Sequence, residues 1–575
     1  MTDQQPTDSR TRIAFAMISG LLLLRLVMVL TSPLELYADE AQYWRWGTTL
    51  DWGYYSKPPM IAWVIHTSTA IFGDSEWAIR LFAPILHTVA ALMLWRLSCQ
   101  MFGSRAALIT VAAYLLMPGV ILSSTVISTD GVLFPFWCIA LYLFWRLREG
   151  DLGWLGVIGL GAAIGLGFLS KYAMLYFGIG IALSMLIDAP TRKAVLSLKG
   201  AAMLAVAAAV LSPHLAWNAA NAFQTVGHTV DNANLGGDLF NFDHLPKYLG
   251  DQMGVFGPVS FLALLAGLIF MRGDRSDAVA AKENWLACFI IPVLIIIAFQ
   301  AVLSRAHANW AATAYPAASV LVASIFTRAR ANRNMWLAVA ALTGLAILIA
   351  PALTVPIRAG IALAVAASLL AIGHVAKWKP VGLFWAGIGL HLSLVVFLAA
   401  LLIGPQSWIS ATGMDNSFKR TSGWQDLADQ LVLEAEQKSP SAILVDEREI
   451  WHGLDYYTRG RLDAPLILWR YNAGAENFAE QVPLSSDMDD NVLVASYRSN
   501  RRHRIAADFE HFVADGVIGV DLGHRSNGCP LTRELRLYRA HTYRPLTRDQ
   551  AWIDRFKGQH MDRLPVCPAP TAGED

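Results

Sequence analysis

Any chemistry in this chain must come from a few charged side chains set between long apolar runs. The densest stretch is Leu36-Tyr-Ala-Asp-Glu-Ala-Gln-Tyr-Trp-Arg-Trp, followed by Tyr54-Tyr-Ser-Lys-Pro-Pro. A carboxylate at Asp39 can take the proton from an attacking hydroxyl. Asp39-x-x-Gln42 is equally a capping-box pattern, in which the carboxylate only satisfies a backbone N–H. Glu40 points about 100° away from Asp39 on one helix, so the two cannot form a close carboxylate pair. Glu40 is left to bind hydroxyls, a metal or nothing. Lys57 precedes two prolines that stop the preceding structure and pre-set a helix from Pro58 to about Phe72. A cation beside the positive end of a helix is unfavourable unless an anion joins them, and a lipid phosphate would serve. The plainer reading is a lysine snorkelling to headgroups.

Further along, Arg80 falls about one turn inside an apolar run, where an unpaired guanidinium costs several kcal/mol. It must have a partner, either a bound phosphate or a carboxylate such as Asp130. Asp130 follows Ser128-Thr129 at the start of another apolar run, a position where an N-cap is the default. Lys171, in Ser170-Lys171-Tyr172, is a second candidate phosphate contact or an interfacial anchor. His214, Asn218, His228, Asp231, His244 and Asp251 lie in or beside the segment 213–250. Ser304-Arg305-Ala306-His307-Ala308-Asn309-Trp310 makes the next polar turn. A bidentate Arg305 suits phosphate or carboxylate. The irregular histidine spacing is no metal signature, although a divalent metal held partly by His228 is one reading.

The elements that carry these residues belong to a bilayer. The chain has 575 residues, 55% hydrophobic and 15% charged, with a mean hydropathy of +0.42, too apolar for an ordinary soluble domain. Apolar runs at 12–31, 76–98, 106–122, 131–147, 153–169, 172–187, 200–214, 254–271, 284–303, 308–326, 335–352, 358–375 and 382–403 predict about thirteen membrane spans. The run 13–31 reads as the first span rather than a cleavable leader. With the N-terminus inside, every cytoplasmic connection carries Arg or Lys, as the positive-inside rule asks. The odd count then puts the loop 32–75 and residues 404–575 outside. The tail alternates a helical pattern, Trp424 to Gln437, with strand-like runs at Ala442 to Val445, Asn491 to Ala495 and Gly516 to Val520, as a small α/β domain would. Cys529 and Cys567 both fall in it, and an exported compartment allows their disulfide.

Several classes are disfavoured. A net charge of +1 gives no field to collect nucleic acid. There is no P-loop, and Gly161 and Gly165 lie in an apolar helix with no preceding strand, so they read as close-packing positions.

Taken in order, Asp39-Glu40, the Ser56-Lys57-Pro58-Pro59 turn and Glu76-Trp-Ala-Ile-Arg80 resemble the GT-C glycosyltransferases of the protein O-mannosyltransferase and lipid A aminoarabinose transferase superfamily. The resemblance covers roughly residues 10 to 320 by motif and the rest by architecture. It implies a transmembrane GT-C catalytic domain over 1–403 and a periplasmic α/β domain over 404–575 in a bacterial inner membrane. It implies an inverting transferase that moves a sugar from a polyprenyl-phosphate donor to an envelope glycolipid, polysaccharide or protein. On that reading Asp39, Glu40 and Asp130 are the catalytic candidates, and Lys57, Arg80, Lys171 and Arg305 face the donor phosphate. Tyr43, Tyr55, His228, His307 and Asn309 line the sugar and acceptor pocket. Asp39 would be the base, unless the acceptor is itself a phosphate. No cofactor is assigned, and a divalent metal stays open. A transporter or flippase of a lipid-linked sugar is the alternative, although no inverted repeat and no matching pair of broken spans is visible.

Overall fold

The computed structural model describes residues 9–231, 240–269, 276–328, 333–349, 355–405, 407–485, 488, 490–525, 529–563 and 567. Each of the thirteen apolar runs overlaps a helix, because backbone in hydrocarbon must satisfy its own N–H and C=O groups. The expected count of thirteen spans is not reached by length. Among the described residues seven helices are long and apolar enough to cross a bilayer: Ser9–Thr31, Glu76–Phe102, Thr129–Glu149, Leu198–Ala220, Asp277–Leu303, Ala308–Arg328 and Pro380–Ile403. His244–Phe256 and Pro258–Ile269 meet at 113° and make an eighth if they are one broken span. The bend falls at Gly257, whose φ of +88 suits a residue without Cβ. Other runs form shorter helices such as Ser104–Leu115, Trp154–Ser170 and Tyr172–Ile187.

Small residues let these helices approach, as packing in lipid requires. A Cβ on Gly161 would stand 2.5 Å from the Met203 carbonyl oxygen, so Trp154–Ser170 lies directly against Leu198–Ala220. This is the packing role expected of that glycine. Large apolar side chains that stay exposed, among them Leu23, Leu155, Leu186 and Leu198, are on or beside these helices, as a lipid-facing surface demands.

The C-terminal region folds around a five-stranded sheet. Its strands are β1 (Ala442–Val445), β2 (Leu466–Leu468), β3 (Val492–Ser496), β4 (Phe509–His524) and β5 (Pro530–Tyr543), in the order β2-β1-β3-β5-β4. β1 runs parallel to β2 and β3, with Leu444 opposite Ile467 and Val494. β3 and β4 are antiparallel to β5. The three parallel strands are nearly all buried and all apolar but Ser496, as strands covered on both faces should be. Cys529 and Cys567 are joined in a disulfide.

This sheet region is seated on the loop that follows the first long helix. The Glu35 carboxylate accepts from the N–H groups of Trp424 and Gln425, an anion at the positive end of the Trp424–Lys438 helix. The Leu36 N–H donates to the Tyr457 hydroxyl at 2.7 Å, and the Tyr456 hydroxyl donates to the Asp74 carbonyl at 2.7 Å. The short helix Ala38–Gly47 thus lies against the helix Arg448–Tyr457.

One group in this contact should make stability depend on pH. Asp455 is largely covered, its side chain 13% exposed, with Arg45 3.6 Å away, too far for a hydrogen bond. Burial, partly opposed by Arg45, pushes its carboxyl up to about 6. A carboxyl raised in the folded state binds its proton more tightly there, so stability is lost as pH climbs from about 4 through 6. Asp455→Asn is therefore expected to melt with the wild type at pH 4. At pH 7 it should be more stable, by up to roughly 3 kcal/mol. Thermal melts at the two pH values check this.

Candidate active site

The helix Ala38–Gly47 begins in an unexpected way. Its N-cap is Tyr37, and the carboxylate that reaches back to the Tyr37 N–H, at 3.1 Å, belongs to Glu40. Asp39 is therefore not the capping residue that the Asp39-x-x-Gln42 pattern suggested. Glu40 is fully engaged elsewhere too. It accepts from the Arg80 guanidinium at 2.7 and 3.0 Å and from the Ile127 N–H at 3.0 Å. Arg80 spends its remaining donors on the carbonyls of Leu34 and Glu35, both at 2.8 Å. The pair is 2% exposed on each side, and it ties the first loop to the start of Glu76–Phe102. The partner of Arg80, left open between phosphate and Asp130, is Glu40.

A buried ion pair stripped of one member leaves a charge without compensation, at a cost of about 3–5 kcal/mol. Arg80→Met should lower the melting temperature sharply. Glu40→Met with Arg80→Met should be milder than either single change, which a double-mutant cycle in thermal melts reads directly.

Asp130 is the second residue of Thr129–Glu149, and Ser128 caps that helix by accepting from the Gly131 N–H. The expected N-cap is thus two residues earlier. Asp130 accepts from Lys171 at 2.7 Å and from the Asn309 amide at 2.8 Å. Three segments far apart in sequence meet at one carboxylate.

Asp39 differs from both. Its side chain is 44% exposed, and its one charged neighbour within pairing range is Arg448, at 3.7 Å. No hydrogen bond engages this carboxylate among the described residues. Of the three catalytic candidates it alone accepts no hydrogen bond among the described residues.

Lys57 completes the cluster. No hydrogen bond or ion pair engages its ammonium among the described residues. Burial, and then the neighbouring Lys171, hold it below the ordinary lysine range, while Asp39 and Asp130 act against them and Arg448 with them. Lys57, Lys171 and Arg448 set against Asp39 and Asp130 leave one net positive charge. An arriving monoanion would balance it.

The remaining candidates are dispersed. Tyr43 is buried, packs on Trp46 at 5.4 Å and lies in the field of Asp39. The Tyr55 hydroxyl donates to the Ala475 carbonyl at 3.0 Å, and its ring meets His228 edge-on at 6.0 Å. His307 sits against Trp310. Arg305 is exposed, and among the described residues no hydrogen bond or ion pair joins it to Asp39, Lys57 or Asp130. Among the described residues no three His, Cys, Asp or Glu side chains are grouped as metal ligands, which leaves the metal reading at His228 without support. Asp231 has a helical backbone but its side chain lies outside the described residues.

Sequence reasoning missed Arg448. A signal was present, because Asp446-Glu-Arg-Glu-Ile follows a strand-like run and puts a cation in the first turn of a helix. That is the same unfavourable placement that drew attention to Lys57.

Over 92% of this chain and 98% of the other, the structure superposes on ArnT from Cupriavidus metallidurans with a TM-score of 0.61 at 17% identity. The chain has a GT-C fold. The same GT-C enzyme solved with bound undecaprenyl phosphate matches at a TM-score of 0.60 and 17% identity, over 93% of this chain and 98% of that one. The family model described as dolichyl-phosphate-mannose-protein mannosyltransferase matches residues 56–217, a range that contains Lys57, Asp130 and Lys171. The lipid A galacturonosyltransferase RgtD of Rhizobium johnstonii is 39% identical over 312 residues, which are 54% of this chain and 64% of that protein. The lipopolysaccharide core galacturonosyltransferase RgtA of the same organism is 25% identical over 281 residues, 48% of this chain and 55% of that protein. The chain thus matches less than two thirds of the length of these curated relatives.

Proposed function

We propose that this protein is a membrane glycosyltransferase that moves a sugar from a polyprenyl-phosphate donor to a lipid A-type glycolipid. The observation that carries the reading is the cluster around Lys57, three cations and two carboxylates in a GT-C fold. The phosphodiester group of a glycosyl donor carries one negative charge, the complement of that cluster, and any charge on the sugar itself must be met outside it. Breaking the bond between the anomeric carbon and the phosphate oxygen leaves the electron pair on the phosphate, which gains a second charge. Lys57, with Lys171 nearby, is placed to stabilise that charge, an electrostatic effect commonly of about 3–4 kcal/mol for a well-placed donor.

In this reading Asp39 is the base. It takes the acceptor hydroxyl proton while the oxygen attacks the anomeric carbon in line, inverting it. Glu40 and Arg80 fix the helix that presents Asp39. Asp130 and Asn309 hold Lys171. Arg448, brought by the C-terminal region, stands 3.7 Å from the Asp39 carboxylate. The reacting side of the membrane is the periplasmic face of a bacterial inner membrane, and the Cys529–Cys567 disulfide supports an oxidising location for residues 404–575. The identity to RgtD favours a uronic acid as the sugar. The flippase alternative draws no support from charges gathered in one cluster, since alternating access calls for polar groups along both halves of the path.

The test is transfer by the purified protein in lipid, with a panel of labelled polyprenyl-phosphate sugars and lipid A or core oligosaccharide as acceptor. A labelled glycolipid from a uronosyl donor is the expected product. No product from any donor would end the reading, and product from a neutral hexose alone would end the uronate part of it.

A further inference from the structure

Arg448 touches Asp39 on one side and on the other lines a cleft of ≈ 390 Å³ in the C-terminal region, together with Glu447, Asn477, Glu480 and Arg501. That volume lies in the roughly 300–1,000 Å³ range of small-molecule sites. Its chemistry is unlike that of the Lys57 cluster. Glu447 is matched by Arg498 at 2.6 Å and Arg501 at 3.9 Å. Glu480 is buried and accepts from the Glu476 N–H at 2.7 Å. The lining sets Glu447, Glu476 and Glu480 against Arg448 and Arg501, so the cleft has little pull on a phosphate. What it offers is a dense mixture of donors and acceptors beside the ring of Tyr471, over which Arg501 lies at 5.7 Å. Asn477 Oδ1 is buried and has no hydrogen-bond donor among the described residues. A buried acceptor left open in this way is completed by an arriving hydroxyl.

We propose that this cleft binds the glycan of the acceptor and delivers one of its hydroxyls past Arg448 to Asp39. The proposal rests on the transferase reading above and assigns the second substrate to the C-terminal region, leaving the donor at Lys57. Sugar hydroxyls donate and accept at once, which suits Glu480, Asn477 and Glu447, and their C–H faces suit Tyr471. The Tyr55 to Ala475 hydrogen bond closes the cleft onto the first loop, so that the bound glycan and the Asp39 carboxylate keep a fixed relation.

The experiment uses the full chain in nanodiscs, with Glu480→Gln and the exposed-rim Glu476→Ala. Transfer kinetics are measured for donor and acceptor separately, with slow hydrolysis of the donor by water as a third reading. Equilibrium binding of fully deacylated lipid A, the glycan probe, is measured alongside. Both variants are expected to raise the acceptor KM about tenfold and to weaken probe binding equally, with donor KM and donor hydrolysis unchanged. Unchanged acceptor KM and probe affinity in correctly melting variants would overturn the proposal, and so would a rise in donor KM. Should Glu480→Gln fail to fold, Glu476→Ala decides. If the wild type transfers no sugar at all, the transferase reading falls and probe binding alone decides the cleft. Weakening in the variants then upholds it, and no binding or no weakening overturns it.

Discussion

Asp39→Asn is expected to lower kcat by about 10²–10⁴, the range for loss of a positioned general base, and to leave the melting temperature nearly unchanged. The two parts of that result come from different features. Asn retains the shape of Asp and its preference for a helix start. The Asp39 carboxylate makes no hydrogen bond among the described residues and is 44% exposed, so only its interactions with the helix dipole and with Arg448 are lost, each about 0.3–1 kcal/mol at an exposed site. Chemistry loses more, because an amide takes no proton from the attacking hydroxyl. Steady-state transfer and a thermal melt on one preparation give both numbers. Full activity in Asp39→Asn would remove the base assignment.

Lys57→Ala should cost about 10²–10³ in kcat/KM, the loss of one well-placed donor at a developing oxyanion. Most of it is expected in kcat, because the departing phosphate is more highly charged than the bound donor. A lysine that only anchors headgroups would leave both kcat and donor KM alone. The pH profile provides a second reading. Burial and Lys171 hold the Lys57 ammonium below its ordinary range, so its charge is lost, as pH rises, earlier than that of a free lysine. Donor binding should weaken on that alkaline limb. Lys57→Arg keeps its charge through pH 10, and its limb should move to higher pH even if its maximal rate is lower. A limb that stays in place would show that another group sets it.

Much of this architecture is legible in the residues. The apolar runs overlap helices because hydrocarbon allows little else. Their count as spans is not confirmed, since the run 106–122 is split before Pro118 and the run 153–169 makes a helix of 17 residues, at the short end of what crosses a bilayer. In the C-terminal region Trp424 to Gln437 and Ala442 to Val445 were placed within a residue. β2 has three residues, too few for a period. β5 contains Arg533, Arg536 and Arg539 and reads as polar, yet its alternate residues Leu535 and Leu537 are buried.

At the site the residue types were visible and their pairing was not. Glu40 caps through the backbone N–H of Tyr37, and tyrosine carries no capping signature. Arg80 and Glu40 are forty residues apart, and Arg448 reaches Asp39 across four hundred. No local pattern encodes such meetings. They come from the seating of the sheet region on the first loop, which Glu35 and Tyr457 fix.

The most direct test counts two products of one event. Purified protein in liposomes is given doubly labelled polyprenyl-phosphate sugar and lipid A, and both the sugar on lipid A and the freed polyprenyl phosphate are measured. The account predicts one polyprenyl phosphate released per sugar transferred in the wild type, and neither in Asp39→Asn. Donor that crosses the bilayer intact, with no polyprenyl phosphate freed, would contradict it.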